Sequence, residues 1–201
     1  MALFKKLPYN FLLFGFLIAV FPQRITAQNP MSITLLNEST SIPPSISKIN
    51  PWHPGLEVGT DVTLHENRHH KTYFSLSIRY IFHKNLYQAI ALNVGFGYDY
   101  KMEYGGNLKT GASLGYMHTF STEEEYRLVN GKYQPNRDKG NSRFISSLSF
   151  GLGHRFDPNN FESTEVFLKQ QYWVEFPYSP GFIPIMSHST SMLGTKFYHN
   201  N

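Results

Sequence analysis

The chain has 201 residues, a formal net charge of +4 and 41% hydrophobic residues. It contains no cysteine, which excludes a disulfide framework and a lipid anchor on an N-terminal cysteine. Aromatics reach 16%, with 13 Tyr and 17 Phe against 2 Trp, a share that suits a protein with aromatic belts at a membrane interface.

Lys5 and Lys6 precede an apolar run, FLLFGFLIAVF, from Phe11 to Phe21. That run is shorter than the roughly 18 to 20 residues a membrane helix needs. Ile25 and Ala27 then carry the −3 and −1 spacing of a cleavage site. Residues 1–27 therefore read as a secretory signal peptide and 28–201 as one mature domain. Removing Lys5, Lys6 and Arg24 lowers the net charge from +4 to +1. The basicity belongs to the targeting segment, so no nucleic-acid partner is expected.

The mature chain is organised by parity. A first, weaker strand is expected over Pro30–Ser39, and stronger ones over Gly55–Leu64 and Tyr73–Phe82. The clearest is ALNVGFGYDY, Ala91–Tyr100. Leu92, Val94, Phe96, Tyr98 and Tyr100 take one face, and Ala91, Asn93, Gly95, Gly97 and Asp99 the other. Leu108–Phe120, Ser142–Phe156, Glu165–Phe176 and Ser191–Tyr198 repeat the alternation. Period-two patterning of this kind marks strands with two unlike faces.

The expected connections alternate in length. Thr40–Pro54, Ser121–Asn141 and Pro177–Ser187 are long and fall on the side away from the termini. His83–Leu86 is the short exception there, while His65–Lys71, Lys101–Asn107 and Asp157–Phe161 lie on the near side. Short periplasmic turns and longer external loops are the habit of outer-membrane barrels. The fold expected is all-β, an eight-stranded antiparallel transmembrane barrel with periplasmic termini. In such a barrel the large apolar face meets lipid and the small polar face fills a narrow interior. That places Glu57, Asp61, Asp99, Glu165 and Glu175 inside with Arg79, Lys109, Arg143, Arg155, Lys169 and Lys196. Five acids against six bases can pair and plug the interior. Tyr80, Phe82, Phe120 and Phe176 are expected at an external aromatic girdle, and Phe74, Tyr98, Tyr100, Phe156 and Tyr198 at a periplasmic one.

With its signal peptide, its NVGFGYDY-type strands and the aromatic ending GTKFY of the last strand, the chain resembles the small eight-stranded outer-membrane barrels of Gram-negative bacteria. His199, Asn200 and Asn201 follow Tyr198, which displaces the terminal aromatic of that pattern. The resemblance implies an outer-membrane location, amid lipid and lipopolysaccharide, and does not fix an activity. Among barrels of this size, the lipid A deacylases carry a His-x-Ser pair. The nearest match here is HSTS, His188–Ser191, where His188 and Thr190 share a face and Ser189 and Ser191 point the other way. His188 is thus the one, weak, catalytic candidate of a deacylase-like alternative. His65, His69 and His70 in the turn LHENRHHK are weak metal candidates without a closed ligand shell. No cofactor is expected.

Two Pro-rich external segments are more distinctive. STSIPPSISKINPWHPG and FPYSPGFIPIM are apolar and stiff, and closure of strand eight on strand one makes them neighbours. They predict a docking surface for an outer-membrane protein partner, centred on Trp52 and His53 and completed by Tyr178, Phe182, Ile183 and Met186. The loop Ser121–Asn141 is charged instead, with an Asn-Gly turn at Asn130–Gly131 that predicts a polar hairpin. The expected role is a non-enzymatic structural or accessory subunit.

Overall fold

The computed structural model describes residues 29–40, 52–123, 125–129, 131–136, 138–160, 162–179 and 181–198. The proposed signal peptide and most of the first Pro-rich segment lie outside them. The described strands are β1 (Met31–Thr40), β2 (Pro54–Glu66), β3 (His70–Phe82), β4 (Tyr87–Lys101) and β5 (Gly106–Ser121). β6 (Glu125–Val129), β7 (Lys132–Asn136), β8 (Asn141–Arg155), β9 (Glu165–Phe176) and β10 (Met186–Phe197) follow.

Eight of them close into one antiparallel barrel in the order β1-β10-β9-β8-β5-β4-β3-β2. β6 and β7 form a separate two-stranded ribbon within the connection between β5 and β8. Its turn holds Gly131 at φ 76°, the left-handed conformation that an Asn-Gly hairpin turn needs. Strand ends differ from the sequence expectation by a few residues. The largest change is in β10, which begins at Met186 because its outer end pairs with both neighbours, Thr40–His188 on one side and Met186–Glu175 on the other. His188 and Met186 therefore sit in a strand. The β8–β9 connection, 156–164, is longer than the expected Asp157–Phe161. Side-chain oxygens of Asp157 and Asn160 accept bonds from the amides of Asn159 and Glu162, and such Asx turns hold the extra residues out of the ladder.

The parity resolves as an inside-out barrel. Leu92, Val94, Phe96, Leu114, Leu148, Phe150 and Leu168 are exposed on the outer wall. Every charged side chain placed inside by parity lies inside, and ten of those eleven are buried. Lys169, the exception, is half-buried. Gly95, Gly97, Gly111, Gly115 and Gly151 face inward on β4, β5 and β8 and leave room for long side chains from across the lumen. A Cβ at Gly97 would overlap the ring of Tyr73.

Two local features escape simple parity. The register shifts between Thr63 and His65, a β-bulge. One extra residue reverses the facing of the strand beyond it, and Glu66 turns inward to pair with Lys71 and Lys101. Tyr198, expected on the outer girdle, comes two residues after the inward Lys196, and its hydroxyl receives a bond from Lys71 Nζ at 3.1 Å. It belongs to the inner rim at the end where the termini lie.

Candidate functional site

The lumen is layered from the termini outward. At the terminal end lie Glu66, Lys71, Lys101 and Arg155. Above them, Lys109 Nζ bridges Asp99 at 2.6 Å and Glu165 at 2.7 Å, and Lys196 meets Asp61 at 2.5 Å. Arg79 joins Glu57 at 2.6 Å and donates to Gln171 Oε1 at 2.6 Å, and the Gln171 amide donates to Ser147. These groups surround a polar cavity of about 90 Å³ lined also by Ser75, Ser77, Asn93 and Lys169. It has room for a few waters.

The next layer is apolar. Leu36, Ile81, Ala89, Ala91, Met117, Ile145 and Met192 fill the barrel, each at most 6% exposed. The inward charges do not anticipate this layer, although the inward parity of Ile81, Met117 and Ile145 near the outer strand ends marks it. A dry layer of this kind separates the mid-lumen network from the outer end.

Beyond it lies a second charged cluster. His188 Nδ1 is 2.7 Å from Glu38 Oε1, and His188 Nε2 is 3.0 Å from Glu175 Oε1. Carboxylates only accept, so both contacts are satisfied by a ring protonated on both nitrogens. Trp173 stacks on that ring at 4.0 Å and 10°, and its indole N–H donates to Thr190 Oγ1 at 2.9 Å. Arg143 closes on Glu175 at 2.7 Å and lies over the rings of Tyr87 and Tyr178. His53 Nδ1 lies 3.4 Å from Glu38 Oε2, and its ring packs on His83 at 3.6 Å. His83 lies in the 83–86 connection, where burial and then the neighbouring His53 lower its pKa below the usual histidine value.

The sequence candidates thus separate. His188 is 1% exposed and inside the barrel, while Ser189 and Ser191 face outward on the opposite side of β10. The structure does not join an inward histidine to an outward serine. Trp52 is 64% exposed, but the adjacent His53 is 7% exposed and turned onto Glu38. Phe182 is 82% exposed, Ile185 exposed, and Tyr178, Ile183 and Met186 half-buried. His65 and His70 are exposed, and His70 Nδ1 lies 2.6 Å from the Tyr98 hydroxyl. His69 Nδ1 donates to the Lys101 carbonyl. Among the described residues no group of three or more histidine or carboxylate side chains is placed to share a metal ion.

No protein-family model matches the chain, and no curated protein matches it. Among solved structures it is similar to Neisserial surface protein A, at 11% identity and a TM-score of 0.48, over 85% of this chain and 96% of that one. The outer membrane enzyme PagL aligns at 10% identity and a TM-score of 0.48, over 85% and 99%. Ail, the attachment invasion locus protein of Yersinia pestis, aligns at 12% identity and a TM-score of 0.46, over 86% and 100%. At these identities and scores no activity passes from one protein to another. The barrel is established by its own strand pairing.

Proposed function

We propose that the chain is a non-enzymatic outer-membrane barrel with periplasmic termini, serving as a structural or accessory subunit that binds a partner through its external rim. The observation that carries the reading is the inside-out distribution of side chains: an apolar, exposed wall around an ion-paired lumen. Apolar side chains outside and charges inside suit a barrel whose outer solvent is lipid. The ribbon of β6 and β7, within the connection between β5 and β8, lies at the end opposite the termini, as part of an external loop would. The apolar layer from Leu36 to Met192 argues against a diffusion pore, because it interrupts any polar path through the barrel.

Against an enzymatic role stands His188. Both of its ring nitrogens are engaged by Glu38 and Glu175 inside the barrel, while the neighbouring Ser189 and Ser191 face outward, so neither serine lies within its reach as a nucleophile. Support for rim binding comes from Trp52, Phe182 and Ile185, large apolar side chains held exposed beside prolines. Prolines lower the ordering cost of binding.

Mass spectrometry of lipid A from cells with and without the protein tests the non-enzymatic reading, and a changed acylation pattern overturns it. Conductance steps in planar bilayers containing the purified barrel would overturn the sealed lumen. Rim binding is checked with Trp52→Ala combined with Phe182→Ala, which is expected to fold normally and to lose a partner that co-purifies with the native chain.

A further inference from the structure

The outer wall carries one polar patch that rim binding does not use. Elsewhere its outward positions are mostly Leu, Val, Ile, Phe and Tyr. From mid-height to the outer rim of β1 and β10 they become Asn37, Ser39, Ser187, Ser189 and Ser191, joined on β9 by Gln170 and Tyr172 at mid-height, above which β9 returns to the exposed Val174 and Phe176. The registers make the patch continuous: Ser39 faces Ser189, Asn37 faces Ser191, Ser191 faces Gln170, and Ser189 faces Tyr172.

The chain satisfies part of this patch itself. Asn37 Oδ1 accepts the His53 amide at 2.8 Å, and Ser39 and Ser189 are buried. Ser191 Oγ donates to Gln170 Oε1 at 2.8 Å. The Gln170 amide nitrogen and the Tyr172 hydroxyl are left half-buried, with no hydrogen-bond partner among the described residues. Gln170 is the sixth residue of a twelve-residue strand, so it sits at mid-height. A lipid keeps its phosphates and sugars at the interface and offers that depth only hydrocarbon. An amide N–H facing hydrocarbon has exchanged its water partners for none, which is strongly unfavourable.

We propose that this patch is a self-association face, on which a second copy docks with the two Gln170 carboxamides paired across a two-fold axis along the membrane normal. A carboxamide is its own complement, since each N–H donates to the other's carbonyl oxygen. The second lone pair of Oε1 keeps its bond from Ser191. Two copies inserted the same way carry Gln170 at the same depth, so the pair meets without any vertical offset. Such an interface uses the same patch on both subunits. The patch bears no charge that would select a charged partner, and the half-buried Ser191 beside Gln170 is small enough for two walls to approach closely there.

The proposal rests on the reading that the wall lies in a membrane, and the test separates the two. The native chain has no cysteine, so single-cysteine variants report one position each. Ser191→Cys, oxidised in native membranes, is expected to give a species of twice the monomer mass. Val94→Cys, on β4 across the barrel, is expected to give none and to resist a water-soluble maleimide. Adding Gln170→Leu to Ser191→Cys should lower the cross-linked fraction by roughly three- to tenfold, while the heat-dependent gel shift of the folded barrel persists. Val94→Cys that reacts with the maleimide overturns both readings. Val94→Cys that is protected overturns self-association alone if Ser191→Cys fails to cross-link, joins a protein of another mass, or is indifferent to Gln170→Leu. Equal cross-linking from both cysteines shows random collision and overturns it as well.

Discussion

The wall formed by β3, β4, β5 and β8 and the wall formed by β9, β10 and β1 obey one parity rule with different outcomes. The first has strands of 13 to 16 residues, an outer face of large apolar side chains and an inner face rich in glycine and serine. The second has strands of 10 to 12 residues, and on β1 and β10 the outward positions of its outer half are polar while the inner face carries charges. Its inner face carries Glu38, Glu175 and His188 at no more than 1% exposure, and its outer face carries the serines and Gln170. On the proposed reading the tall wall is the one that meets lipid. The short wall concentrates buried polar interactions, and there single substitutions should matter most.

The largest effect is expected at His188. Changing it to Ala removes the group that links the buried Glu38 and Glu175, and leaves Glu175 with its ion pair to Arg143. Breaking a buried ion pair from one side costs about 3–5 kcal/mol. Heat-modifiability on detergent gels should show the variant unfolding at a clearly lower temperature, with partial recovery when Glu38→Gln is added. An unchanged midpoint would mean that the cluster is not a source of stability.

Next comes the tall wall. Leu92→Arg puts a charge near the middle of its apolar face, which costs about 2–4 kcal/mol for a lipid-facing position at the midplane. Asn93→Asp, one residue away but facing the lumen, should lose less. Urea unfolding from lipid vesicles compares the two, and an equal loss would erase the difference between the faces.

Legibility in the chain divides along the same line. On the tall wall, alternation such as Leu92-Asn93-Val94-Gly95 carries its own contrast, so strand, facing and lumen charges are all visible. On the short wall HSTS is polar at every position, so alternation carries no contrast and the expected start of β10 falls five residues late. His188 stands out in the sequence for a spacing it does not use. Its partners Glu38 and Glu175 come from β1 and β9, and only barrel closure brings them together. The inward turn of Glu66 depends on a bulge, which has no period-two signature. The apolar layer is legible in principle from Ile81, Met117 and Ile145, because inward parity can be read for apolar residues as well as for charges.

A smaller effect is expected where the tall wall is thin. Gly97→Val places side-chain atoms where the ring of Tyr73 already lies. Overpacking of this kind costs about 1–3 kcal/mol, measurable in the same unfolding experiment. Full stability would show that the Tyr73 ring moves aside freely. The smallest effect on folding belongs to the rim. Trp52→Ala with Phe182→Ala should shift stability by less than about 0.5 kcal/mol, because both side chains are exposed. A large loss would make them part of a structural cap.

The central claim is that the large face of the strands meets lipid. Spin labels on single cysteines along β4, at positions 90 to 96 of the barrel in lipid vesicles, test it most directly. Labels at Ile90, Leu92, Val94 and Phe96 should collide with oxygen dissolved in the bilayer and not with a water-soluble nickel complex. Labels at Ala91, Asn93 and Gly95 should be restricted and collide weakly with both. Strong collision of the even-numbered positions with the nickel complex would contradict the claim, since the large apolar face would then be in water.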